Sequence, residues 1–209
     1  MKRKANNMHE KIEKEAKFYI RDLKKIEQHI KDLGGFATQP RVLESNLRFD
    51  THERELSVSY QVLRLRQDTR ARLTYKGPAD PNSEVSARLE FEVEISDLTT
   101  GRHIFEVLGY EVITIYEKFR ASYSLDNVEL SLDEMPFGEF MEIEGGDAQQ
   151  IRQMSDKLKL KWENRSSLSY LRLFSQVKER LGLSMRDLTF DNFSKLDVKP
   201  DHLQLTYAD

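Results

Sequence analysis

The chain has no cysteine among its 209 residues. That removes disulfide frameworks, thiolate zinc sites and cysteine nucleophiles together. Glycine and proline are scarce, at 9 and 5 residues, which excludes collagen-like and low-complexity organisation. No run approaches the ~20 apolar residues a membrane-spanning helix needs. The basic opening Met1-Lys2-Arg3-Lys4 leads into no apolar segment, so no secretory signal is expected. Charge of one sign is not in excess either. Lys plus Arg is 33 against 36 for Asp plus Glu, a formal net charge of −3. This balance gives no electrostatic case for a nucleic acid or a membrane as partner. A soluble, cytoplasmic location is the expectation. The histidines (His9, His29, His52, His103 and His202) are scattered without ligand spacing and read as surface or loop residues.

Charge is nonetheless abundant, at 33% of the chain, and its arrangement is informative. Lys11 to Ile20 alternates as a strand. Asp22 caps a helix with apolar positions at Leu23, Ile26, Ile30 and Leu33, and Gly34-Gly35 ends it. Strands are expected at Thr38–Phe49, Leu56–Gln67, Ala71–Lys76 and Val85–Ile95, with a loop through Gly77–Ser83. Asp97 caps a second helix, closed by Gly109. Tyr110–Tyr123, Val128–Asp133 and Glu139–Glu144 complete the extended segments, with a turn at Asp126-Asn127. Gly145-Gly146-Asp147 starts a third helix to about Leu158, and Ser169–Leu181 has helical spacing with Gly182 as its stop. The expected organisation is one domain over residues 1–182 and a C-terminal tail, 183–209, docked on it. Segment 169–193 either closes one end of the domain or forms a dimer contact. Trp162, the only tryptophan, reads as a packing anchor.

Side chains of a strand point to opposite faces with period two. Glu13, Glu15 and Lys17 share a face; so do Arg64 and Arg66, and Arg88, Glu90 and Glu92. Lys118 and Arg120 flank Phe119, and Glu142 and Glu144 flank Ile143. Helices with apolar faces need the apolar sheet surface, so the charged faces must look elsewhere. They look either outward from an open sheet or inward in a closed one, and closure into a ring also removes exposed edges. The expected fold is therefore α+β, an antiparallel β-barrel with flanking helices and C-terminal helices. Burying an unpaired charge costs several kcal/mol, so such a lumen must be wet, its charges paired with each other or with a ligand. A polyanion held by the cations and divalent metals held by the carboxylates answers both needs. A lipocalin-like carrier would need an apolar lumen, which the alternation does not provide.

These runs resemble the motifs of the CYTH superfamily, the triphosphate tunnel metalloenzymes. Glu13-Lys14-Glu15-Ala16-Lys17 is similar to its N-terminal Glu-x-Glu-x-Lys signature. Leu63-Arg64-Leu65-Arg66, Leu73-Thr74-Tyr75-Lys76-Gly77-Pro78, Arg88-Leu89-Glu90-Phe91-Glu92, Glu117-Lys118-Phe119-Arg120, Leu132-Asp133 and Gly138-Glu139-Phe140-Met141-Glu142-Ile143-Glu144 follow in the family's order, over roughly residues 9–180. The resemblance implies an eight-stranded antiparallel barrel forming an open tunnel, with helices packed outside, and Mg²⁺- or Mn²⁺-dependent chemistry on a triphosphate, for which the expected mechanism needs no protein nucleophile. It implies Glu13, Glu15, Glu142 and Glu144 as metal ligands, with Asp133, Glu90 and Glu92 as further or supporting carboxylates. It implies Lys17, Arg64, Arg66, Lys76, Lys118 and Arg120 as phosphate contacts, Arg88 as an additional one, and Arg72 in reserve. Catalysis would fall to Glu13, Glu15, Lys17, Glu142 and Glu144. Inorganic tripolyphosphate is the preferred substrate. The alternatives are class IV adenylyl cyclase, thiamine triphosphatase and a non-catalytic polyphosphate- or nucleotide-binding module, with a homodimer possible. Class IV cyclases often carry a His-Phe pair ahead of the first motif; Ala5-Asn6 stands in the corresponding place, and His9 is too close.

Overall fold

The computed structural model describes residues 11–209, so Ala5, Asn6 and His9 lie outside the described residues. Along the chain run β1 (Lys11–Ile20), α1 (Leu23–Asp32), β2 (Phe36–Asp50), α2 (Glu55–Val58), β3 (Val62–Gln67), β4 (Ala71–Lys76), β5 (Ser86–Ile95), α3 (Leu98–Val107) and β6 (Glu111–Leu125). There follow β7 (Val128–Met135), β8 (Gly138–Glu144), α4 (Ala148–Lys157), a 3-10 turn at Trp162–Asn164, β9 (Arg165–Ser166), α5 (Tyr170–Leu181), α6 (Phe190–Phe193) and α7 (Pro200–Leu203).

The strand order is β5-β4-β3-β2-β6-β7-β8-β1, and β1 also pairs with β5, so eight antiparallel strands close into a tunnel-like ring. β1 is the seam. One edge follows β8 from Glu15 to Ile20; the other follows β5 from Lys11 to Glu15 and then the two residues of β9. Closure leaves no long edge to protect.

Sequence-local chemistry explains the joints. Asp22, Asp97, Asp147 and Ser169 each accept a hydrogen bond from a backbone N–H in the first turn of the helix they precede. Asp126 and Asn127 both adopt positive φ, the conformation a two-residue hairpin needs, and Leu125 then faces Val128. The register of β2 against β6 shifts between Gln39 and Val42, where Pro40 cannot donate to a ladder. The expected strand Leu56–Gln67 is wrong at its start, since residues 55–58 form a helical turn and the strand begins at Val62. The cause is Asp50, whose carboxylate accepts from the backbone N–H groups of Thr51, Leu56 and Ser57 and from the Ser57 hydroxyl. This local capping outcompetes strand pairing.

Three apolar clusters hold the ring. On the outside, α1 and α4 cover β1, β6, β7 and β8 through Phe18, Ile20, Ile26, Ile30, Leu130, Met141, Ile143, Ile151 and Leu158. Trp162 joins this cluster, its ring 6.2 Å from that of Phe18. α3 covers Leu47, Phe49 and Leu65 with Leu98 and Phe105. The third cluster uses inward-facing residues. Tyr19, Tyr116, Met135 and Phe140 meet Tyr170, Leu173, Phe174 and Val177 of α5 and Leu188, Phe193 and Leu203 of the C-terminal segment. α5 thus plugs one end of the ring. The C-terminal segment is tied down by Leu188, which exchanges backbone hydrogen bonds with Ile115 and Glu117, and by Ala208 N–H on the Tyr19 carbonyl. No helix among the described residues is long and apolar enough to cross a membrane.

Candidate active site

The period-two stripes converge. Glu13, Glu15, Lys17, Arg64, Arg66, Arg72, Lys76, Arg88, Glu90, Glu92, Lys118, Arg120, Glu142 and Glu144 all line one cavity of about 830 Å³ inside the ring. Of the residues singled out from the sequence for the site, only Asp133 is not on its wall.

Within the cavity charge is organised in pairs. Lys17 Nζ lies 2.9 Å from Glu142 Oε1, and Arg120 contacts the other oxygen of Glu142. Lys76 joins Glu13 to Glu90, the latter at 3.5 Å. Arg64 and Arg72 approach Glu92 at 3.7 and 3.8 Å, and Thr74 donates to the same carboxylate at 2.8 Å. Asp133 is fully buried behind the wall, gripped bidentately by Arg120 at 2.6 and 2.5 Å and contacted by Lys118 at 3.1 Å and the Tyr170 hydroxyl at 2.7 Å. Its oxygens face these donors rather than the cavity.

The pairing sets protonation. Burial disfavours charge on Glu142, but Lys17 and Arg120 outweigh it and hold this carboxyl well below the usual range. Lys17 is buried yet kept charged, because Glu142 and Glu15 raise it. Glu15 goes the other way, pushed up by burial and by the neighbouring Glu142. It stands opposite Glu144 in the β1–β8 register, and Glu144 stands opposite Glu129 on β7.

Sequence reasoning missed several members. Glu44 is fully buried between Arg66 at 3.4 Å and Lys118 at 3.6 Å, and these cations with Arg120 and Arg64 hold it far below the ordinary carboxyl value despite burial. Asn46 donates to Glu44, and Arg48 lines the cavity. A period-two signal was present, since Glu44, Asn46 and Arg48 alternate with Ser45, Leu47 and Phe49. Tyr116, which accepts from Arg64 at 3.2 Å, was also missed. So were Ser166, Ser167 and Leu168, while Ser169–Leu171, from the segment expected either to close one end or to form a dimer contact, also line the cavity. None of the described histidines lines the cavity.

Five lumen arginines, Arg48, Arg64, Arg66, Arg72 and Arg88, carry a buried Nε with no hydrogen-bond partner among the described residues. Buried donors are rarely left so, and here they fall on one cavity wall. The carboxylates supply only hard oxygen donors, which suit Mg²⁺ or Mn²⁺. Among the described residues, no three acidic or histidine groups form a ready-made coordination cluster; Glu13 and Glu142 are instead engaged with lysine and arginine.

The chain is thus a closed antiparallel tunnel whose lumen is lined by paired acidic and basic side chains. The sequence profile of the CYTH domain matches residues 11–174, and the chain belongs to that family. It is 33% identical over 136 residues, 64% of this chain and 76% of the other, to a Methanocaldococcus jannaschii protein named "Putative adenylate cyclase". The structure of a Vibrio parahaemolyticus protein of the same name superposes with a TM-score of 0.70 at 21% identity, covering 79% of this chain and 98% of that one. A Hippeastrum protein, named "Putative adenylyl cyclase" and described as revealing a dominant triphosphatase activity, superposes with a TM-score of 0.56 at 20% identity over 83% of this chain and 97% of that one.

Proposed function

We propose that the tunnel binds a triphosphate together with Mg²⁺ or Mn²⁺ and hydrolyses it, with inorganic tripolyphosphate as the preferred substrate. The observation that carries this reading is the wall of five arginines with unpaired buried Nε atoms. A buried donor left unpaired costs about 1–3 kcal/mol, and phosphate oxygens match guanidinium groups bidentately. Lys17, Lys76, Lys118 and Arg120 extend the cationic surface along the same cavity.

Glu13, Glu15, Glu142 and Glu144, supported by Glu90 and Glu92, would hold the metal. Asp133 would act through Lys118 and Arg120, whose head groups it fixes. When bound, a divalent ion would offset charge on phosphate oxygens and acidify a water. The protein's own groups do the rest. Lys17 is held charged and serves as a phosphate contact, not a base. A carboxylate of this set would position the attacking water and help to remove its proton. The arginines stabilise charge building on the leaving diphosphate.

A second reading, conversion of ATP to cyclic AMP, is favoured by the name of the Methanocaldococcus jannaschii relative. The Hippeastrum neighbour, named for one activity and described by the other, supports testing both on one preparation. Phosphate release from tripolyphosphate, ATP and thiamine triphosphate should be measured with Mg²⁺, with Mn²⁺ and with EDTA, alongside cyclic AMP formation from ATP. We expect fastest turnover on tripolyphosphate and none in EDTA. Cyclic AMP as the main product would replace the hydrolase with a cyclase. Tight metal-free binding without turnover would make the tunnel a binding module.

A further inference from the structure

We infer that Tyr170, the first residue of α5, is a positioning residue for the phosphate cradle: it sets where the Lys17, Lys118 and Arg120 head groups stand. The inference rests on the triphosphate reading of the cavity but assigns a role to a residue outside the ring's strands.

The geometry is specific. Lys17 Nζ lies 4.4 Å and Lys118 Nζ 5.3 Å from the centre of the Tyr170 ring. A lysine has a flexible stem and a point charge, so two ammonium groups entering a lumen need something to fix their separation. The electron-rich face of a buried aromatic ring does this, and the attraction is strongest where water is excluded. Tyr170 also donates its hydroxyl to Asp133 Oδ2 at 2.7 Å, the same oxygen that Lys118 contacts at 3.1 Å and Arg120 at 2.5 Å. One side chain therefore touches two of the cations directly and anchors the carboxylate that orients Lys118 and Arg120.

Tyr170 is itself rigidly held. Ser169 caps α5 by accepting from Arg172 N–H. Leu173, Phe174 and Val177 bury the helix in the plug, and Phe140 meets the Tyr170 ring at 5.2 Å. The placement of α5 is in this way transmitted to the lumen's cations. An ordinary core aromatic would need none of the polar contacts; a leucine or phenylalanine would fill the space.

The test uses the full chain and three variants, Tyr170→Phe, Tyr170→Leu and Leu173→Ala. Leu173 is fully buried in the same helix and is given no contact with the cations. Tripolyphosphate affinity is measured by calorimetry in EDTA, KM and kcat with Mg²⁺, and folding by thermal melting. Tyr170→Leu should weaken metal-free binding and raise KM about ten-fold, and Tyr170→Phe, which keeps the ring, about three-fold. Leu173→Ala should lower the melting temperature yet leave both within about two-fold of wild type, because an apolar truncation there costs packing alone. Should Tyr170→Leu fail to fold, Tyr170→Phe against Leu173→Ala decides alone. If wild type binds tripolyphosphate and the Tyr170 variants match it, or if Leu173→Ala weakens binding as much as they do, the positioning role is wrong and the triphosphate reading stands. If wild type neither binds nor hydrolyses any triphosphate, both fall together.

Discussion

The two ends of the ring's interior are built by the same strands and differ completely in chemistry. On β1 the inward stripe runs Glu13, Glu15, Lys17 and then Tyr19. On β8, read backwards, it runs Glu144, Glu142, Phe140; on β6, also backwards, Arg120, Lys118, Tyr116; on β7, Glu129, Ser131, Asp133, Met135. On β1, β7 and β8 the stripe changes from polar to apolar as it nears the plug, and on β6 it reaches Tyr116, which borders both cavity and plug. On β2 and β3, Glu44, Asn46, Arg48, Arg64 and Arg66 keep it polar. Period two thus encodes which face a residue takes, while the change of character along each stripe encodes depth. The charged end lines the cavity, and the apolar end packs against the plug.

This contrast can be broken at either end. The largest effect should follow removal of a carboxylate at the charged end. Glu15→Ala or Glu144→Ala should reduce tripolyphosphate turnover by about a thousand-fold or more, with circular dichroism and melting little changed. Undiminished metal-dependent rates in either variant would refute the assignment. At the apolar end, Phe140→Ala should cost about 3–5 kcal/mol in denaturant unfolding, a loss of fold rather than of selective chemistry.

Between the two lies Glu44, where stability and charge meet. Glu44→Gln leaves the surrounding cations without their anion and should cost about 3 kcal/mol near neutrality. Glu44 has a folded-state pKa below its ordinary value of 4.5. Its stabilisation is therefore complete above that value and lost as pH falls towards the folded one. Unfolding curves of wild type and variant should differ most near neutrality and draw together below about pH 4; a pH-independent gap would refute the linkage. The smallest effect belongs outside the lumen. Arg70→Ala breaks an exposed pair with Glu94 and should change stability by less than about 1 kcal/mol, with kcat/KM unaltered.

Much of this was legible from residue order. The stripes on β1, β3, β5, β6 and β8 named their inward face correctly, and the hairpin at Asp126-Asn127 and the caps at Asp22, Asp97 and Asp147 fell where side-chain chemistry placed them. Other parts were not legible, for physical reasons. The turn at residues 55–58 depends on Asp50 gathering backbone donors up to seven positions away, which no alternation pattern reports. The stripe of β2 was passed over because Glu44 and Arg48 are separated by Asn46, an uncharged residue that the lumen nonetheless uses. Tyr170 sits in a helix whose spacing says only that one face is apolar; which cavity it enters is decided by tertiary packing.

The seam strand has a consequence for how the molecule is made. The partners of β1 on β5 and β8 lie some 75 and 130 residues further along the chain, in the ladder pairs Glu13–Arg88 and Glu15–Glu144. Such long-range closure is slow to find and comes late in folding. The acidic signature on β1 therefore lines a lumen only once both of these long-range ladders have formed.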